Sequence, residues 1–423
     1  MPSSPRRPAP GTYCFWEAEL SAPFKSATPS DSHIMGVYQR APLAFVRGEG
    51  VRLYGDDGRD YLDCVAGIAV NGLGHCHPRL VQTLKDQAEK LWHVSNIYRI
   101  PEQEQLAARL CAATFAEEVF FTNSGTEAVE LALKIARRHQ AAKGHPERID
   151  VITFQGAFHG RSYAAVTAGG NDHYLEGFGP RLPGYVNLPF GDMEALKAAV
   201  GPTTAAVFIE PVQGEGGARA VSDADLRLMR QLCDEQGALL MYDEIQCGMG
   251  RTGKLFAYEW SGVVPDVMCV AKALGGGFPV GACLATHYAA EAMTVGAHGS
   301  TYGGNPLAMA VGLAAFDEID RPELLDHVGR IAGYFNQQLA GLKDRFPDVI
   351  QEIRGKGLLI GLQLIPNNRE FMALARDEQL LIAGGGENCV RLLPPLIISQ
   401  DEAREAVQKL ERTCEAARRK AAA

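Results

Sequence analysis

Val267-Met268-Cys269-Val270-Ala271-Lys272-Ala273-Leu274-Gly275-Gly276-Gly277-Phe278-Pro279 decides how this chain is read. An apolar run leads up to a lysine, and a triple glycine and a Phe-Pro follow closely. A short apolar run bounded by Gly and Pro reads as a strand buried on both faces. Earlier in the chain, Ala238-Leu239-Leu240-Met241-Tyr242 has the same character and stops at Asp243. Two such strands in one parallel sheet put a lysine and an aspartate at one edge, the carboxyl ends of the strands, where open α/β sheets bind ligands. An ordinary buried ion pair is the plain alternative. An ion pair has no need of a triple glycine, whereas glycines there let backbone and ligand approach closely.

Outward from this pair, helical and strand-like segments alternate. Helical periodicity runs over Pro78 to Leu91, Glu102 to Phe115 and Glu127 to Arg138. Strand-like runs fall at Val119-Phe120-Phe121, Val151 to Phe154, Ala205 to Ile209, Leu239 to Tyr242 and Val267 to Ala271. Such βαβ alternation predicts a mostly parallel sheet flanked by helices, an α/β fold. Before it, about Leu43 to Asp63 reads as short strands with an Asp57-Gly58 turn. After Asp320, two long polar helices (322–345 and 401–419) flank strand-like Gly357 to Leu364 and Val390 to Leu393, which reads as a smaller α+β unit.

A chain of 423 residues exceeds one compact core, so more than one unit is expected. The formal net charge of -9 argues against non-specific nucleic-acid binding, and no basic run offsets it. The longest strongly apolar stretch, Pro306 to Phe316, is too short for a membrane span and reads as a buried helix. Residues 1–31 lack the apolar core of a secretory signal and are expected to form a disordered tail. The ten cysteines show no paired spacing, and Cys233, Cys269 and Cys283 sit in apolar runs. That pattern predicts reduced thiols and a cytoplasmic protein. His75-Cys76-His77 has no further ligands at suitable spacing, so a turn is expected there and no metal site.

The chemistry concentrates in loops at strand ends. Thr122-Asn123-Ser124-Gly125-Thr126 precedes a helix, where backbone N–H groups and hydroxyls can hold a phosphate or simply cap the helix. Gly156-Ala157-Phe158-His159-Gly160-Arg161 offers an aromatic face for a heterocycle and an arginine for a carboxylate. Glu210-Pro211-Val212-Gln213-Gly214-Glu215-Gly216-Gly217 places two carboxylates in a glycine-rich turn, and His298 to Pro306 is another hydroxyl- and glycine-rich loop. With the Lys272 segment, these exceed what packing requires. A lysine amine for covalent attachment, a carboxylate for a ring nitrogen, a stacking aromatic and a phosphate cup are what pyridoxal 5′-phosphate needs.

Asn123-Ser-Gly-Thr-Glu-Ala128, Ala157-Phe-His-Gly-Arg161, Glu210-Pro-Val-Gln-Gly-Glu-Gly-Gly217, Asp243-Glu-Ile-Gln246, Lys272 and Gly299-Ser-Thr-Tyr-Gly-Gly-Asn-Pro306 resemble, in order, the class III aminotransferases. Gly74-His-Cys-His-Pro78, Leu91-Trp-His-Val-Ser-Asn96 and Gln246-Cys-Gly-Met-Gly-Arg-Thr-Gly253 are most similar to the acetylornithine and succinylornithine branch. The resemblance runs from about Tyr38 to the C-terminus. It implies a fold type I pyridoxal-phosphate transferase with a large cofactor-binding domain over 78–320. A small domain would be formed by 321–423 with the N-terminal segment 32–77.

For the cofactor, the resemblance implies Lys272 as the covalent and proton-carrying residue and Asp243 as partner of the ring nitrogen. Gln246 would approach the ring hydroxyl, Phe158 and Ile245 would cover the two ring faces, and Gly125 and Thr126 would bind the phosphate. Thr301 would reach the phosphate of the neighbouring subunit in a homodimer. Arg161, Ser300 and Tyr38 match positions that contact the amino donor. Arg391 matches the residue taking the α-carboxylate of glutamate or 2-oxoglutarate, and Glu215 the residue that covers it. The implied reaction converts N-acetylornithine and 2-oxoglutarate to N-acetylglutamate 5-semialdehyde and glutamate, in arginine biosynthesis. Succinylornithine, ornithine, 4-aminobutyrate and N-succinyl-diaminopimelate stay open as donors, because an acyl group or a methylene changes binding by only about 1–3 kcal/mol. One departure is the shortened Leu364 to Glu370 connection, which touches none of these motifs.

Overall fold

The computed structural model describes residues 33–422, so the expected N-terminal tail lies outside the described residues. Its centre is a seven-stranded sheet in the order Glu118–Thr122, Gly281–Ala285, Val267–Val270, Leu239–Asp243, Thr204–Ile209, Asp150–Phe154, Tyr185–Leu188. Gly281–Ala285 runs against both its neighbours, and the others run parallel. Thr204–Ile209, Leu239–Asp243 and Val267–Val270 are buried along their whole length, as their unbroken apolar sequences require.

Helix Gly125–Ala142 packs on this sheet through Ala128, Leu131, Ala132, Ile135 and Ala136. It starts where Ser124 accepts a hydrogen bond from the Glu127 N–H at 3.3 Å while Glu127 reaches back to the Asn123 N–H at 2.6 Å. Pro306–Ile319 is buried along most of its length and capped by Asn305, whose side chain accepts from the Ala308 N–H.

A second sheet, all antiparallel, runs Ile350–Lys356, Leu359–Leu364, Cys389–Leu392, Ala383–Gly385. Helices Pro322–Arg345, Asn368–Asp377 and Gln400–Ala422 accompany it. The N-terminal strands Phe45–Glu49, Arg52–Gly55 and Asp60–Asp63 form the expected meander, and Leu380–Leu381 joins it in parallel beside Asp60–Asp63. The sequence reading leaves several strands unassigned, Tyr185–Leu188 in the central sheet among them, and two of these have a clear reason, Gly281–Ala285 and Ile350–Lys356. The first is too rich in Gly and Ala to carry a strand signal. The second is a half-exposed strand whose Glu352, Arg354 and Lys356 dilute its apolar content.

His75 pairs with Gly50 in an isolated antiparallel bridge just before a turn at Cys76, its Nε2 2.7 Å from Asp63 Oδ2. Asp63 Oδ1 also accepts from the Val65 and Ala66 N–H groups at 2.8 and 3.0 Å, with the residue only 1 % exposed. Asp63→Ala would strand these donors and is expected to cost about 2–3 kcal/mol, seen as a lower thermal midpoint in calorimetry. An unchanged midpoint would show that water replaces the carboxylate freely.

Candidate active site

The carboxyl ends of the parallel strands bring the segments at Asn123, Phe158, Glu210, Asp243 and Lys272 to one edge, around a cavity of about 330 Å³. Asn123, Ser124, Gly125, Thr126, Phe158, His159, Glu210, Asp243, Ile245, Gln246 and Lys272 all line it. Asp243 stands opposite Cys269 in the parallel ladder, three positions before Lys272, so strand register sets the spacing of the two charges. The lysine sits just beyond its strand, which ends at Val270, and opens a 3-10 turn with φ +50°. That left-handed conformation is uncommon for a residue with a side chain and is typical of functional sites. Gly277 in the following turn has φ +115°, and a Cβ there would lie 2.8 Å from Asn71 Oδ1.

Asp243 is 2 % exposed. Its Oδ1 accepts from the Ile245 N–H at 3.0 Å, and its Oδ2 meets His159 Nδ1 at 2.8 Å. His159 is itself enclosed and stacks on Phe208 with ring centroids 4.2 Å apart. Sequence reasoning quoted His159 within a motif but gave it no task. Its role is visible only as a contact across two strands. Burial in the cavity wall, with the Arg391 guanidinium nearby, pushes the Lys272 amine down to about 8. Burial likewise pushes Glu210 up to about 7. Glu210 accepts from the Phe158 and Gly214 N–H groups at 3.1 and 3.2 Å, and so ties two loops of the site together.

The helix N-terminus at Ser124-Gly125-Thr126 faces the cavity. A Cβ on Gly125 would lie 2.7 Å from Ile245 Cδ1, so only glycine lets this loop and Ile245 share the wall. Arg391, 1 % exposed, donates to Glu215 Oε1 at 2.6 Å, to Gln246 Oε1 at 2.9 Å and to the Gly384 carbonyl. Gln246 therefore has its carbonyl oxygen held by Arg391 as well as lining the cavity. Arg161 and Tyr38 line a separate, adjoining cavity. Ser300 accepts from the Asn123 side chain at 3.4 Å and from the Gly303 N–H at 2.9 Å, and Thr301 is exposed beside it. Neither Ser300 nor Thr301 lines the Lys272 cavity. No cluster of metal ligands occurs among the described residues, nor any helix long and apolar enough to cross a membrane.

A buried lysine, a buried carboxylate and a helix N-terminus around one pocket suit a pyridoxal-phosphate enzyme, and wider comparison agrees. The aminotransferase class-III family model matches residues 35–414, and the chain belongs to that family. It is 70 % identical over 400 residues to acetylornithine aminotransferase 2 of Caulobacter vibrioides, covering 94 % of this chain and 99 % of that protein. Among solved structures it resembles N-acetylornithine aminotransferase of Stenotrophomonas maltophilia K279a, with TM-score 0.80, 38 % identity and coverage of 91 % and 98 %. It also resembles an ornithine aminotransferase of Toxoplasma gondii that shows pyridoxal phosphate at partial occupancy in its active site, with TM-score 0.86, 30 % identity and coverage of 92 % and 93 %.

The residues present fit the cofactor. The cavity offers a depressed lysine amine, a buried carboxylate, an aromatic and an aliphatic wall, and backbone donors for a phosphate. When bound, pyridoxal phosphate supplies a protonated ring that withdraws electrons and a carbon that takes up and releases the amino group.

Two tests follow from this geometry. A lysine held near 8 is mostly protonated at pH 7 and mostly neutral at pH 9, and only the neutral amine attacks a carbonyl. Covalent attachment of added cofactor to apoenzyme, followed by visible absorbance, should therefore accelerate by about tenfold per pH unit below 8 and level off above it. Lys272→Ala should retain weak cofactor binding with no borohydride-trapped adduct; an adduct at another lysine would displace the assignment. Asp243→Asn keeps the shape and removes the charge, which should slow transamination by the roughly two to four orders of magnitude that about 3–5 kcal/mol implies. Wild-type rates would mean that another group keeps the ring protonated.

Proposed function

We propose that this chain transfers the δ-amino group of N-acetylornithine to 2-oxoglutarate, giving N-acetylglutamate 5-semialdehyde and glutamate in arginine biosynthesis. The observation that carries this reading is the 2.6 Å Glu215–Arg391 pair at the site, beside an Arg161 that has no carboxylate partner among the described residues. A double-substrate enzyme of this kind handles one partner whose amine is next to its carboxylate and another whose amine is distant from it. Arg391 left open would grip the α-carboxylate of glutamate or 2-oxoglutarate. Covered by Glu215, it leaves Arg161 to take the carboxylate of a donor reacting at its far amine.

In this reading Lys272 holds the cofactor at rest and, once displaced, moves the proton at the donor's amine-bearing carbon. Asp243, fixed by His159 and the Ile245 N–H, keeps the ring nitrogen protonated. Phe158 and Ile245 enclose the ring and keep water from its faces, Gln246 stands by the ring hydroxyl, and Gly125 and Thr126 take the phosphate. Ser300 and Tyr38 contact the donor.

The proposal includes a homodimer in which Thr301 reaches the other subunit's cofactor phosphate. Leu91, Trp92, Ile97, Tyr98 and Tyr302 are exposed near Thr301, and Asn96 ties the two loops by donating to the Ser300 and Gly303 carbonyls. Large apolar side chains grouped in this way favour a subunit interface. The proposal also divides the chain at about residue 320 into a large and a small domain. Pairing of Leu380–Leu381 with Asp60–Asp63 supports assigning the segment 32–77 to the small one. A cytoplasmic location is supported by the free thiols of the described cysteines.

The two half-reactions separate the roles. Glu215→Ala should keep or improve the glutamate half-reaction while weakening that of N-acetylornithine. Arg391→Ala should weaken the glutamate half by about 2–5 kcal/mol, through loss of a charge-assisted pair, and spare the other. Single-turnover rates read from cofactor absorbance measure each half. Equal damage to both halves in both variants would leave Arg391 a structural residue and end this reading.

A further inference from the structure

Phe158 lines the Lys272 cavity and two others. One of these, of about 600 Å³, is also lined by Tyr38, Arg161, Tyr163, Tyr174, Leu175 and Phe178 together with two valines. Arg161 is the charged side chain of that second lining, in walls that are otherwise aromatic and aliphatic. Its guanidinium carbon lies 3.8 Å from the Tyr174 ring centroid and 5.4 Å from that of Phe158. Tyr174 in turn meets Phe158 edge-on, with centroids 6.4 Å apart and planes at 87°.

Tyr174 does not reach this position by chance packing of a loose loop. It closes the short turn Asp172–Tyr174, which is capped by Asn171, whose side chain accepts from the His173 N–H at 3.1 Å. Arg181 bonds Asp172 at 2.5 Å and the Gly170 carbonyl at 3.3 Å, anchoring the turn from the other side. A carboxylate partner would orient Arg161 but also neutralise it. An aromatic face orients the guanidinium plane and leaves its N–H edge and its charge available.

We propose that Tyr174 is a positioning residue for donor selection, holding the Arg161 guanidinium plane ready for two parallel hydrogen bonds to the carboxylate of the amino donor. The proposal rests on the reading above in which Arg161 takes that carboxylate. A long side chain already held flat loses less freedom when it grips a ligand, so the ring contributes to donor affinity without touching the donor. Glutamate and 2-oxoglutarate, taken by Arg391 outside this cavity, are unaffected by it.

The experiment compares Tyr174→Leu, which removes the ring, with Tyr174→Phe, which keeps it, and runs Arg161→Ala alongside. KM for N-acetylornithine should rise by about tenfold in Tyr174→Leu, with kcat and the KM for 2-oxoglutarate nearly unchanged. Tyr174→Phe should stay within about twofold of the parent enzyme, because the face and not the hydroxyl holds the arginine. In an Arg161→Ala background, Tyr174→Leu should add nothing further. An unchanged donor KM in Tyr174→Leu overturns the proposal, as does an equal rise for both substrates, which would mark a merely structural tyrosine. If Arg161→Ala itself leaves donor KM unchanged, the underlying assignment of Arg161 fails instead. Should Tyr174→Leu give no soluble enzyme, Tyr174→Met takes its place with the same outcomes.

Discussion

The structure depends on holding one carboxylate in a fixed attitude at the end of a buried strand. Taking a carboxylate out of water costs several kcal/mol unless hydrogen bonds replace the lost hydration. At Asp243 the replacements are the Ile245 N–H on one oxygen and His159 on the other. His159 is pinned in turn by stacking on Phe208, a residue of the neighbouring strand Thr204–Ile209. The ladder between Leu239–Asp243 and Val267–Val270 then fixes where Lys272 emerges relative to that carboxylate. A slip of one residue in this register would turn the side chains to the opposite face, so the packed sheet core and the active-site geometry are one constraint.

Other buried acids near the site serve a different purpose. Glu244 is fully buried next to Asp243, and burial pushes it up to about 8. It accepts from the Ala257 and Tyr258 N–H groups at 2.6 and 2.8 Å and so anchors the turn that follows. Glu210 anchors the Phe158 loop to the Gly214 loop in the same manner. Both acids satisfy backbone donors that would otherwise be orphaned as loops crowd over the strand ends. Glu210 thereby ties the Phe158 loop to the loop carrying Glu215.

What could be read in the sequence follows from how each feature is encoded. Thr204–Ile209, Leu239–Asp243 and Val267–Val270 were legible because strands buried on both faces must be apolar throughout. Gly281–Ala285 was not, since close packing against the Gly125–Ala142 helix favours small residues that carry little strand signal. The cofactor loops were legible because phosphate and ring contacts need Gly, hydroxyl and aromatic residues in short stretches. His159 and Tyr174 were not assigned, because each acts through a partner in another element. Tyr174 also sits in the irregular stretch Gly169 to Gly184, where no periodicity indicates which side chain turns inward. The Gln246–Arg391 contact joins residues 145 positions apart, one just after a strand of the central sheet and the other in a strand of the second sheet, a proximity that local pattern cannot encode.

Two arginines near one cavity are treated in opposite ways, and the difference is chemical. Arg391 is buried, and its charge is met by Glu215, a side chain one-third exposed on a glycine-rich loop and so able to leave. Arg161 is exposed, and its plane is met by the faces of Tyr174 and Phe158, which orient the cation without cancelling it. In the proposed reading, a carboxylate lid would make one cationic site conditional, and an aromatic rest would keep the other available. In that reading the asymmetry would sort two substrates with differently placed carboxylates at a single reactive lysine, because two sites that were both always open would not discriminate between them.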